Sequence, residues 1–159
     1  MKNVLAVLAL LLWVPFAFAQ TPTVQSVTVN DYGTYAFDVQ TVDGTDSTGV
    51  APQRTVTNIR QISTTRIATL PKPGAELHLG FHFTINGSPE GANVDIHFIR
   101  TTDNGKTVLS DATIQRQIGW TYYRGFTISG DDQPVPCVET VQVWYGNQLL
   151  ASQSFTLVN

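Results

Sequence analysis

Cysteine, clustered cations, helical periodicity and membrane-length apolar runs are all missing or scarce in this chain. Among its 159 residues there is one cysteine, Cys137, and charged residues make up only 13%. A single cysteine excludes an internal disulfide, so the fold has to stand on its packed core. It leaves Cys137 two readings: a reactive or intermolecularly linked thiol, and a small apolar side chain tucked in beside Pro136. The 9 Lys and Arg residues are scattered among 12 Asp and Glu, which speaks against nucleic acid or an anionic membrane surface as partner, since both are held through clustered cations. No Gly-x-Ser-x-Gly elbow, no phosphate-cradling glycine loop before a helix and no His-Glu-x-x-His pair occurs. The sequence therefore points away from an enzyme and implies no cofactor.

What is present begins with the first nineteen residues. Lys2 gives a positive start, Val4 to Val14 is almost wholly apolar, and Ala17-Phe18-Ala19 offers the small residues after which a signal peptidase cuts. The apolar run from Val4 to Phe16 falls short of the ~20 residues that span a bilayer, and Pro15 interrupts it. The reading is a cleaved signal peptide over residues 1–19 and a mature chain over 20–159, exported to the periplasm or beyond. No cysteine follows the cut to carry a lipid, so no membrane insertion is expected after cleavage. Lys2 leaves with the leader, making the mature chain one charge more acidic than the full-length formal charge of −3. Its length suits a single domain with its own core.

Thr, Val, Ile, Phe and Tyr dominate the mature chain in short runs broken by Gly, Pro, Asn and Asp, the pattern of strands joined by turns. Val24 to Val29 and Tyr32 to Val39 read as two strands, with a surface loop from Asp43 to Gln53. Thr55 to Leu70 reads as two short strands with an irregular join. Leu77 to Ile85 alternates most cleanly, with Leu77, Leu79, Phe81, Phe83 and Ile85 on one face. Val94, Ile96 and Phe98 continue the same alternation, so a hairpin with the preceding strand is expected. Asn104-Gly105 marks a further turn, Val108 to Ile118 and Trp120 to Ile128 supply more strands, and Gly130 to Pro136 reads as a loop. Val138 to Tyr145 and Gln148 to Val158 close the chain as a hairpin across Gly146-Asn147. About nine or ten strands without a helix define an all-β antiparallel sandwich of two packed sheets.

Tyr32-Gly33-Thr34-Tyr35, Gly80-Phe81-His82-Phe83 and the closing run Gly146-Asn147-Gln148-Leu149-Leu150-Ala151 with Ser154-Phe155 resemble a family of exported bacterial β-sandwich domains of unknown function. The resemblance spans most of the mature chain and implies an immunoglobulin-like fold. It brings no catalytic residues with it.

Two constellations could carry binding chemistry. If Ile85 faces Val94 in the expected hairpin, Phe83 meets Ile96, Phe81 meets Phe98, and His82 falls opposite His97. Directly opposed side chains have Cβ atoms about 4.5–5.5 Å apart, close enough for two imidazoles to share a Zn²⁺ or Cu²⁺ ion, with Asp95 as a third donor on the same face. The plain alternative is a surface pair facing solvent. The second constellation is aromatic: Trp120 and Tyr122 with Trp144 could form a platform for stacking sugar rings, against the common alternative of rings buried in the sandwich. With no catalytic motif, the expected role is an interaction module for another envelope or extracellular protein, acting through strand edges. Carbohydrate binding through the aromatics, or weak metal binding through His82 and His97, are the alternatives.

Overall fold

Leu79, Phe81, Phe83 and Ile85 alternate with His78, Gly80, His82 and Thr84, and all four apolar side chains are fully buried. Period-two alternation with one buried face is what makes this segment a strand packed on one side only. A computed structural model describes residues 20–45, 52–102 and 105–159 of the chain, the side chains of 39–45 and 52–54 excepted. The leader assigned to residues 1–19 lies outside the described residues. Among the described residues nine strands form two sheets. The first sheet has the order β2 (Pro52–Ser63), β1 (Thr23–Thr45), β4 (Glu76–Ser88), β7 (Thr121–Ser129). The second has the order β3 (Ile67–Thr69), β9 (Gln148–Val158), β8 (Cys137–Tyr145), β5 (Asn93–Thr102), β6 (Thr107–Gln117). Every pairing is antiparallel except β3 with β9. Among the described residues no helix is long and apolar enough to cross a membrane.

The core lies between the sheets. Leu79, Phe81, Phe83 and Ile85 of β4 meet Ile96 and Phe98 of β5, Val141 and Val143 of β8, and Phe155 and Leu157 of β9. Phe83 reaches across to Phe98 with ring centroids 5.7 Å apart, and Phe126 of β7 reaches Phe155 at 5.8 Å. Each such ring contributes about 1.5–3 kcal/mol through the apolar surface it removes from water. Cys137 is half-buried at the core's margin and unbonded to any other cysteine, which matches its apolar reading.

The expected hairpin between the fourth and fifth strands does not form. β4 pairs with β1 and β7, while β5 pairs with β6 and β8. The segment after Ser88 carries the chain across the core to the other sheet. Matching apolar residues that suggested a side-by-side register instead face one another through the core, as the Phe83–Phe98 contact shows. The two strands read at the start are one, β1, bent by a register shift between Val29 and Asp31. The stretch assigned as a loop from Asp43 to Gln53 is strand at both described ends, with Asp43 paired to Gln53 and Thr45 to Pro52, and residues 46–51 lie outside the described residues. Gly130–Asp132 forms a 3₁₀ turn within the expected loop, and the β8–β9 hairpin turns at Gly146-Asn147 as read.

Candidate functional site

The outer face of the first sheet holds a compact polar and aromatic cluster that the sequence reading missed. Gly80 of β4 pairs with Gly125 of β7, leaving a bare patch of backbone in mid-sheet. Tyr123, two residues before Gly125 on the same face, lies across that patch, so a methyl group on Gly80 would stand 2.6 Å from the Tyr123 hydroxyl. An aromatic ring laid over strand glycines restores the cover that their missing side chains cannot give. The Tyr123 ring packs against Tyr35 at 4.9 Å and His82 at 5.4 Å, and Phe37 packs on His78 at 4.2 Å.

Asp31 organises the polar half of this cluster. The shift in the β1–β4 register after Val29 turns Asp31 outward, opposite His82. Its Oδ1 accepts hydrogen bonds from the Tyr35 hydroxyl at 2.5 Å, from His82 Nδ1 at 2.8 Å and from the His82 backbone N–H at 3.0 Å. Partial burial pushes the Asp31 carboxyl up, but these hydrogen bonds and the nearby imidazole outweigh it and hold the group below the usual carboxylate range. Burial, and then the Asp31 hydrogen bond and charge, push the Tyr35 phenol well above its ordinary value. Burial followed by the Asp31 charge does the same to Tyr123, whose hydroxyl is buried without a hydrogen-bond partner among the described residues. The carboxylate is occupied in holding its neighbours, so the cluster acts chemically as a clamp joining β1, β4 and β7.

The structure separates the residues singled out for metal binding. His82 lies on the outer face of the first sheet, bonded to Asp31, whereas His97 lies on the second sheet opposite Trp144 and Thr113 and donates to Asp111 at 2.5 Å. Asp95 is exposed on β5 opposite Gln115. The shared site fails because the register that created it belongs to a hairpin the chain does not make. Among the described residues no group of three or more His, Cys, Asp or Glu side chains could hold a metal ion.

The three aromatics are likewise dispersed. Tyr122 faces inward beside Phe83, and its hydroxyl accepts from the Gln117 backbone N–H at 2.8 Å, which makes it part of the core's margin. Trp144 is on β8 in the other sheet, its indole N–H bonded to Gln142. Trp120 sits in the turn between β6 and β7 and is 57% exposed. No single platform joins them.

Gly119, the residue before Trp120, lines a shallow cleft. Gln25, Thr84, Asn86, Glu90, Ile118 and Gly119 are among the residues lining an open cavity of about 380 Å³ at this end of the sandwich. The turn that carries Trp120 is fastened on several sides: Gly119 N–H donates to Ile85 at 2.7 Å, Ile118 N–H to Ala92 at 3.0 Å, and Gly91 N–H to Ile118 at 2.9 Å.

The strand edges differ in character. β2 and β7 end the first sheet, β3 and β6 the second. The β1–β2 ladder is interrupted by four register shifts, and Asn58 of β2 takes a positive φ of 52°. β3 is only three residues long. The β4–β7 ladder, by contrast, runs from Glu76–Ser129 to Thr84–Thr121 without a shift. No described strand pairs with the outer edge of β7.

This architecture is an immunoglobulin-like β-sandwich. In comparison with solved structures, the chain is similar to the crystal structure of an immunoglobulin-like protein from Pseudomonas aeruginosa, with 14% identity and a TM-score of 0.50, covering 84% of this chain and 98% of that one. At that identity the likeness speaks for the fold, in accord with the class expected from the sequence. No family model matches the sequence, and no curated protein matches it.

Proposed function

We propose that the chain is an exported, non-catalytic interaction module that binds another envelope or extracellular protein by strand addition along β7. The observation carrying this reading is the unbroken, open-edged β7 ladder. Sheet edges left long and regular invite another chain, and proteins ordinarily blunt them with bulges, charges or very short strands. β2 and β3 show such devices, whereas β7 contains neither proline nor lysine. Its one charged residue, Arg124, turns its guanidinium over the Phe98 ring at 4.8 Å. Main-chain hydrogen bonds to such an edge supply affinity, and alternate side chains supply specificity. Export is supported by the charge, apolar run and small-residue ending of residues 1–19.

The test is site-specific photo-crosslinking in the producing cell's envelope. A photoreactive residue at Thr121 on β7 is expected to form an adduct with a second protein, while one at Ser152 on β9 is not. Equal adducts from both positions, or adducts of the chain with itself alone, would contradict the reading.

A further inference from the structure

We infer that the strand added along β7 presents an Asp or Glu side chain inward, where it pairs with Arg116. The inference rests on the strand-addition reading and supplies the chemistry of the partner segment. Arg116 lies on β6 opposite Val94 of the core, so its side chain projects between the sheets rather than away from them. There its guanidinium carbon stands 4.8 Å from the centre of the Tyr122 ring, and the Tyr122 hydroxyl accepts from the Gln117 backbone N–H at 2.8 Å. These contacts join β6 and β7, the strands that end the two sheets on this flank of the sandwich.

Arg116 has no counter-charge among the described residues. Its Nη1 donates to the Gln115 carbonyl at 3.0 Å, its Nε is buried with no partner, and none of the ion pairs includes it. Burial holds the guanidinium below its ordinary pKa, as expected of a cation withdrawn from water without an anion beside it. The donor fork that fits a carboxylate is therefore mostly unused. Neither neighbouring strand supplies the missing anion. β7 contains no Asp or Glu, and Asp111 of β6 faces outward, bonded to His97. Tyr122, Arg124 and Phe126 face inward on β7, so the residue of an added strand that pairs with Tyr122 faces inward too, beside the guanidinium over that ring. An apolar residue there leaves the cation unpaired, and Lys or Arg sets like charges together, so an acidic side chain is selected.

Photo-crosslinking from Thr121 in the producing cell's envelope, with tandem mass spectrometry of the adduct, is run on wild type, Arg116→Lys, Arg116→Gln and Arg116→Glu. In the wild-type adduct, the partner is expected to carry Asp or Glu next to the residue attached at position 121. Yield is expected to fall at least about tenfold in Arg116→Gln, further in Arg116→Glu, and least in Arg116→Lys, which keeps the charge. Changing the partner's acid to its amide is expected to lower the wild-type yield equally and to add nothing to Arg116→Gln. Thermal melting of residues 20–159 separates binding from folding: Arg116→Gln removes a charge that the folded chain leaves unpaired, and is expected to melt at or above the wild-type temperature. Melting more than about 5 °C lower assigns Arg116 to the fold and overturns the inference. An attached segment without Asp or Glu, or a yield unchanged in Arg116→Gln, overturns it while strand addition stands. Absence of any adduct between position 121 and a second protein overturns both.

Discussion

Replacing Arg100 by methionine tests whether the polar contact inside the sandwich behaves as a buried ion pair. Arg100 and Glu139 share the inward parity of Phe98 and Val141, and the guanidinium Nε donates to Glu139 Oε2 at 2.6 Å with side-chain exposures of 16% and 7%. The same guanidinium lies 4.1 Å from the centre of the Phe126 ring. Taking either partner away leaves the other charge in a poorly hydrated position, a loss of about 3–5 kcal/mol. For a domain of this size about 3 °C is lost per kcal/mol, so Arg100→Met and Glu139→Met should each lower the melting temperature by about 10–15 °C. Replacing both should recover most of the loss, because two methionines fill the space and leave no charge unpaired. Urea unfolding of residues 20–159, followed by far-UV circular dichroism, measures all three variants against wild type. Single variants costing under about 1 kcal/mol each would refute the reasoning, since that is the worth of a hydrated surface pair. A double variant as unstable as the summed singles would refute it equally.

Other outcomes follow from the clamp on the first sheet. Tyr123→Phe removes a buried hydroxyl that has no partner among the described residues, so thermal melting should show it unchanged or about 1 kcal/mol more stable. Gly125→Ala drives a methyl group into the Tyr123 ring and to 2.6 Å from the Leu79 carbonyl oxygen, and should cost about 1–3 kcal/mol in the same assay. Because the Asp31 carboxyl is held below its unfolded value, its stabilisation is complete above the unfolded pKa near about 4 and is lost as pH falls through the lower folded value. Asp31→Asn should therefore be less stable at neutral pH and show a flatter stability profile in acid, measured by urea unfolding from neutral to acidic pH. Phe83→Ala, at the centre of the core, should cost about 3–5 kcal/mol by the same measurement.

Much of the fold was legible because alternation is a local signal. Leu79 to Ile85 and the Gly146-Asn147 turn carry their structure in a few adjacent residues. Sheet membership was not legible: Phe83 and Phe98 match equally well as hairpin neighbours or as partners across a core, and only the path of the chain after Ser88 decides between them. The error carried directly into the proposed pairing of His82 with His97. Asp31 was overlooked because its outward aim depends on a register shift in β1, which side-chain identity does not announce. Gly80 and Gly125 did hold a clue, since glycine inside a strand marks close approach by another group, here the Tyr123 ring. Trp120 was singled out, but it sits in the turn between β6 and β7, whereas Trp144 lies on β8 of the other sheet.

Hydrogen exchange of residues 20–159, alone and with the protein captured by crosslinking at Thr121, tests the central claim most directly. Strand addition predicts that amides of β7, between Thr121 and Ser129, exchange fast on alternate residues in the free protein and become protected in the complex. Protection confined to β2, to the outer faces of the sheets or to the loops, with β7 exchanging as before, would contradict it.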